Sequence, residues 1–135
     1  PIPTRPLPSP TTTTVPPPIL PGDALFEYDD DTLKPAATRE LERVARDVRR
    51  WAPNAGIVIV GHTDSRGSAD YNLALSLRRA EAVRQWFIQH DFLPRRLVAR
   101  GAGESQLLVP DVDATGNFIE AAGARNRRVE FEPND

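Results

Sequence analysis

Gly56-Ile57-Val58-Ile59-Val60-Gly61-His62-Thr63-Asp64 is the stretch that decides the fold. Four consecutive β-branched residues between two glycines predict a strand covered on both faces, which places it centrally in a sheet. Asp64 follows at once, at the mouth where a connection to a helix opens. Residues 69 to 90 predict that helix, closed by Pro94, and Leu97, Val98 and Ala99 predict the next strand. Upstream, Leu41, Val44, Ala45, Val48 and Trp51 recur at helical spacing behind Pro35, until Pro53 and Asn54 end the helix. An opening strand is predicted at Leu25, Phe26 and Tyr28, running into Asp29, Asp30 and Asp31. In the last strand Val129 and Phe131 alternate with Arg128, Glu130 and Glu132, as when one face is buried and the other wet. The order is β, α, β, α, β. It predicts an α/β (α+β) sandwich, with two main helices on one side of a mixed sheet of about four strands. Gly103 to Arg125 is predicted to be a long loop, with one helical turn around Phe118 to Ala122.

The chain has 135 residues, enough for one domain, which is assigned to residues 23–135. Residues 1–22 gather most of the 14 prolines and the run Thr11 to Thr14, a composition that favours extended polyproline II and predicts a flexible tether. At about 3 Å per residue such a tether reaches roughly 60 Å. The chain opens at Pro1, so a processed or excised piece of a longer protein is expected, with any membrane attachment through a segment upstream. A formal net charge of −2 favours neither nucleic acid nor an anionic membrane. The absence of cysteine excludes disulfides and thiolate chemistry. No metal or cofactor is expected.

The second helix carries the chemistry. With Leu73 at zero and a step of about 100° per residue, Leu77, Ala80, Phe87, Val83 and Trp86 span an apolar arc from roughly 40° back to roughly 220°. On that wheel Arg78 falls among solvated residues, whereas Arg79, near 240°, points into the arc, with Asn72 one i, i+7 step before it. A buried guanidinium needs either an internal acidic partner or a pocket that brings an anion to it. Asp64 is the natural counterpart in either case. As a ligand site, Asp64 and Arg79 suit a zwitterion such as the free end of an amino acid, with ammonium on Asp64 and carboxylate on Arg79. A catalytic alternative would use His62 with Asp64, and Ser65 or Ser68, but His90 lies far along the helix and no serine elbow or HExxH spacing accompanies them. No catalytic residue is assigned.

Gly61-His62-Thr63-Asp64, Asn72, Leu75-Ser76, Arg79-Ala80, Gly101-Ala102-Gly103-Glu104 and Asn126-Arg127-Arg128-Val129-Glu130 together resemble the signature of OmpA-like C-terminal domains, including Pal lipoproteins and the periplasmic part of MotB. The resemblance covers Leu25 to Phe131. It departs where the family usually has a proline soon after the Gly-x-Gly-Glu block, since this chain reads Ser105-Gln106-Leu107-Leu108-Val109-Pro110. The resemblance implies non-covalent binding of peptidoglycan through the meso-diaminopimelate of its stem peptide, in the periplasm, attached to the outer membrane or cell envelope. It implies ligand-binding roles for Asp64, Arg79 and Asn72, and for Asp29 and Tyr28 in the first strand. Asn126, Arg127 and Arg128 are assigned to structure, with Arg128 facing outward. The competing reading is a protein-interaction module that docks another envelope protein, or a second copy of the chain as a homodimer.

Overall fold

The computed structural model describes residues 18–51 and 56–134. Within them the elements are β1 (Ile19–Pro21), a one-turn α1 (Gly22–Leu25), α2 (Ala37–Trp51), β2 (Gly56–His62), α3 (Ala69–Gln89), a 3-10 turn (Pro94–Arg96), β3 (Leu97–Gly103), α4 (Glu120–Asn126) and β4 (Arg128–Asn134). The sheet is mixed, in the order β1-β4-β2-β3, with β2 parallel to β3 and antiparallel to β4. The predicted α/β sandwich and its central β2 are therefore present.

The predicted opening strand is corrected. Leu25 closes α1, and Phe26 makes only an isolated bridge to Leu33. The first strand lies earlier, at Ile19–Pro21, paired with β4 through Ile19–Glu130 and Pro21–Arg128. Three residues assigned to the tether thus belong to the sheet, because Leu20 opposite Val129 is fully buried and supplies core that proline content obscures. Gly22, also assigned to the tether, opens α1, and residues 1–17 lie outside the described residues, as do Pro53 and Asn54.

One face of the sheet carries the core. Ile57 beside Leu97 and Ile59 beside Phe131 in the register, with Val129 beside Gly61, form one core with Leu41, Val44 and Val48 of α2 and Ala80, Val83 and Phe87 of α3. Gly61 and Gly101 lie side by side on the same face. A Cβ on Gly61 would overlap the backbone carbonyl of Ser76, and one on Gly101 would lie 2.7 Å from Leu77 N. The glycines therefore let α3 sit against the strands backbone to backbone. Ser68 starts the helix, its hydroxyl accepting from Tyr71 N at 3.1 Å, which caps a free donor of the first turn.

This seating rotates the apolar arc. Leu73 and Leu77, placed on it by periodicity, are 50% and 46% exposed. Their backbone lies over Gly101 and Gly103 of β3, the edge strand, where no side chain is available to cover them. The buried face is instead Asn72, Leu75, Ser76, Arg79, Ala80, Val83, Trp86 and Phe87, with Arg79 inside it as the wheel predicts. On the opposite sheet face Arg128, expected to point outward into water, is 4% exposed. Its guanidinium reaches the Gln106 carbonyl at 2.9 Å and Glu130 at 2.7 Å, so the 104–110 segment covers it. No helix of the described residues is long and apolar enough to cross a membrane.

Gly61→Ala should lower stability by about 1–3 kcal/mol, because the added methyl group meets backbone that no rotamer change can move. The urea midpoint measures this. An unchanged midpoint would show that α3 can lift from the sheet without loss.

Candidate functional site

A cleft of about 110 Å³ opens where the end of β2 meets the start of α3, lined by all five predicted site residues, Tyr28, Asp29, Asp64, Asn72 and Arg79, together with Asp23, Arg66 and Arg127. Asp64 and Arg79 are both 6% exposed. They do not form the internal ion pair that spacing allowed. Asp64 Oδ1 accepts from Arg66 N at 2.9 Å, and Oδ2 accepts from Arg66 Nη2 at 3.0 Å and Arg127 Nη1 at 2.6 Å. Burial pushes the Asp64 carboxyl up, but the hydrogen bonds from Arg66 and Arg127 outweigh it and hold it below the usual aspartate value.

Arg79 is differently placed. Its Nε donates to the Asp30 carbonyl at 2.8 Å and its Nη2 to the Glu27 carbonyl at 3.4 Å, while the guanidinium lies 5.1 Å from the Phe26 ring centroid. Among the described residues no carboxylate reaches it within salt-bridge distance. Burial lowers its pKa, opposed by the fields of Asp23 and Asp29. A guanidinium held on neutral carbonyls keeps most of its attraction for an anion.

The other predicted residues divide into rim and support. Tyr28 is 76% exposed at the rim. Asp29 adopts a positive φ of 60°, tolerable for a short polar side chain in a turn, and its carboxylate accepts from the Tyr71 hydroxyl of α3. Asn72 supports the cleft floor. Its Nδ2 donates to the Arg66 carbonyl and to Glu104 Oε1, both at 2.7 Å, tying the β2–α3 loop to the end of β3.

Arg127, assigned to structure alone, proves to be a cleft residue. Besides Asp64 it holds Asp23 through two bonds of 2.9 Å and reaches Glu120, and these carboxylates, Asp23 first, raise its pKa. The signal was in the alternation. Arg127 shares its parity with the buried Val129 and Phe131, so it points to the helix side of the sheet. Arg66 and Asp23 gave no such signal, because both lie in irregular or one-turn segments.

The residues of the catalytic alternative are dispersed. His62 faces the far side of the sheet against Glu130 at 3.0 Å, Ser65 binds Asp111, Ser68 caps α3, and His90 stacks on Trp86 at 3.8 Å. Among the described residues no group of three or more His, Cys, Asp or Glu is arranged to hold a metal ion.

The OmpA family model matches residues 25–120, the span from the end of α1 to the start of α4 that carries all five predicted site residues. The chain belongs to the OmpA family. It is 41% identical over 106 residues to the peptidoglycan-associated lipoprotein of Pseudomonas putida, a match covering 78% of this chain and 59% of that protein. The crystal structure of the peptidoglycan-associated lipoprotein from Burkholderia pseudomallei superposes with a TM-score of 0.67 at 28% identity, covering 86% of this chain and 89% of that one. The cell wall anchor of the T6SS from Pseudomonas aeruginosa gives a TM-score of 0.69 at 26% identity, covering 84% and 76%. The chain thus spans less than two thirds of the curated lipoprotein, and the shared part is the OmpA-like domain.

The buried ionisable groups predict the pH response. His62 is held below its ordinary value of 6.5, by burial first and then by Arg128, against the opposing pull of Glu130. The folded state keeps it neutral while the unfolded chain takes a proton below about pH 6.5, so stability falls as pH drops through that value. Asp64, Asp111 and Glu130, all held below their ordinary values, add a further loss at lower pH, as they protonate. Urea midpoints measured from pH 8 to pH 5 should decline below pH 6.5 in the wild type and stay level in His62→Gln. Parallel curves would remove His62 as the cause.

Proposed function

We propose that this OmpA-family domain binds peptidoglycan non-covalently through the meso-diaminopimelate of the stem peptide, anchoring an envelope protein in the periplasm to the cell wall. The observation that carries the reading is the arrangement of Asp64 and Arg79. Two buried opposite charges line one cleft without neutralising each other, and among the described residues Arg79 donates its hydrogen bonds to carbonyl oxygens and not to a carboxylate. The side-chain end of diaminopimelate is a zwitterion, with an ammonium for Asp64 and a carboxylate for the Arg79 fork. The cleft is itself balanced, since Asp23, Asp29 and Asp64 face Arg66, Arg79 and Arg127. A neutral pocket of separated charges suits a zwitterion better than a simple anion or cation.

The names of the similar proteins support the same reading, because one is called peptidoglycan-associated and another a cell wall anchor. Nothing in the proposed role requires a bond to be made or broken. Affinity for the free amino acid should be modest, about micromolar to millimolar, because few contacts offset the cost of association. The Pro- and Thr-rich residues ahead of β1 would serve as the tether to whatever is anchored, and many tethered copies would hold by avidity.

Calorimetric titration with a meso-diaminopimelate stem peptide tests the reading. Saturable binding is expected for the wild type, weakened about tenfold to a hundredfold in folded Arg79→Ala and in folded Asp64→Asn, each of which loses a charge-assisted contact. A lysine stem lacks the second carboxylate and should bind more weakly than the diaminopimelate stem. Equal affinity for the two stems would contradict the role of Arg79, and no binding by folded wild type would overturn the reading in favour of a protein-docking module.

A further inference from the structure

Asp64 is already occupied. Two guanidinium groups lie on its carboxylate, and an incoming ammonium finds Oδ2 engaged by both Arg66 and Arg127. The two are not equally fixed. Arg127 is 8% exposed and bound to Asp23 and Glu120 as well as Asp64, so its departure would break three ion pairs at once. The Arg66 side chain is 38% exposed and has only Asp64 at bonding distance, with Glu120 at 3.8 Å. Its Nε is buried and donates to nothing among the described residues. The guanidinium rests over the Phe118 ring at 4.0 Å and near the ring of Tyr28, at the cleft rim, at 5.4 Å.

We propose that Arg66 is an internal competitor for Asp64, a displaceable counter-ion that leaves the carboxylate when a cationic ligand group enters. This rests on the reading of the cleft as a zwitterion site. In the empty cleft Arg66 neutralises a buried carboxylate that would otherwise keep one fixed partner. On binding, one cation replaces another, so the charge beside Asp64 is conserved and the exchange is gentle. Arg66 then turns toward Glu120 while keeping contact with the Phe118 and Tyr28 rings, where a guanidinium is favoured over a ring face. Its unpartnered Nε means that leaving costs one ion pair and no further side-chain hydrogen bond. A ligand without a cationic group has no means of replacing it.

The test compares meso-diaminopimelate with pimelate, the same dicarboxylate without amines, on wild type, Arg66→Ala and Arg66→Lys. Calorimetry gives the affinities, and the Arg66 Nε–Hε resonance reports on the side chain in the wild type. Removal of the competitor should tighten diaminopimelate binding about threefold to tenfold, as expected for a partly exposed ion pair, and leave pimelate unchanged. Arg66→Lys should fall between wild type and Arg66→Ala, and it keeps the test available if the alanine variant does not fold. Diaminopimelate, and not pimelate, should shift the Arg66 resonance. Saturable wild-type binding with an unmoved Arg66 signal, or with equal or weaker affinity in Arg66→Ala, would overturn the competitor role and leave the zwitterion site standing. No saturable binding of diaminopimelate by the wild type would overturn both.

Discussion

The structure depends on how closely α3 lies against β2 and β3. Gly61 and Gly101 leave a gap into which the backbone of Ser76 and Leu77 descends, and nothing larger than hydrogen fits between. Packing at that distance sets the rotation of the helix as well as its height. It turns Arg79 and Asn72 inward at the end of β2 and leaves Leu73 and Leu77 to solvent beyond the sheet edge. The same contact fixes the end of β3, where the Ser76 hydroxyl accepts from Gly103 N at 2.9 Å. The cleft is therefore a consequence of backbone proximity, which holds Arg79 and Asn72 of α3 against the end of β2.

Charge distribution within the cleft departs from what stability alone would favour. Arg127 gathers three carboxylates, whereas Arg79, as deeply buried, is left to carbonyl oxygens. A buried cation without an anion is expensive, and replacing it with an apolar residue often stabilises a fold. Its retention at the centre of the buried helix face fits a group kept for a ligand. Arg127 has the opposite character. By holding Asp64 from the sheet side and Asp23 from α1, it joins α1, the β2–α3 loop and α4 around the cleft floor. The strand at Ile19–Pro21 bears on the site through the residue that follows it, because Gly22 N donates to the Arg127 carbonyl at 2.8 Å.

The sequence made the centre of this molecule legible and its margins much less so. Ile57 to Val60 marked β2 because four β-branched residues in succession suit few other environments. The helical spacing of Leu41, Val44 and Val48 marked α2 for a similar reason. Ile19–Pro21 was hidden by proline, whose missing donor is harmless on an edge strand such as β1. The apolar arc of α3 was misplaced because periodicity cannot reveal that two glycines on neighbouring strands shift the helix. Among the site residues, Asp64 and Arg79 were visible as charges beside or within apolar patterns. Arg66 was not, since an arginine in a loop has no face until the rings of Phe118 and Tyr28 are folded around it. The partners of Asp64 are separated from it by as many as 63 positions, beyond the reach of local pattern.

The most direct test of the central claim, that Asp64 and Arg79 divide a zwitterion between them, is a crystal structure of the domain with meso-diaminopimelate bound. The result predicted is a ligand carboxylate paired with the Arg79 guanidinium and the neighbouring ammonium within hydrogen-bonding distance of Asp64. A ligand bound elsewhere, or seated in the cleft with its charges on other residues, would contradict it.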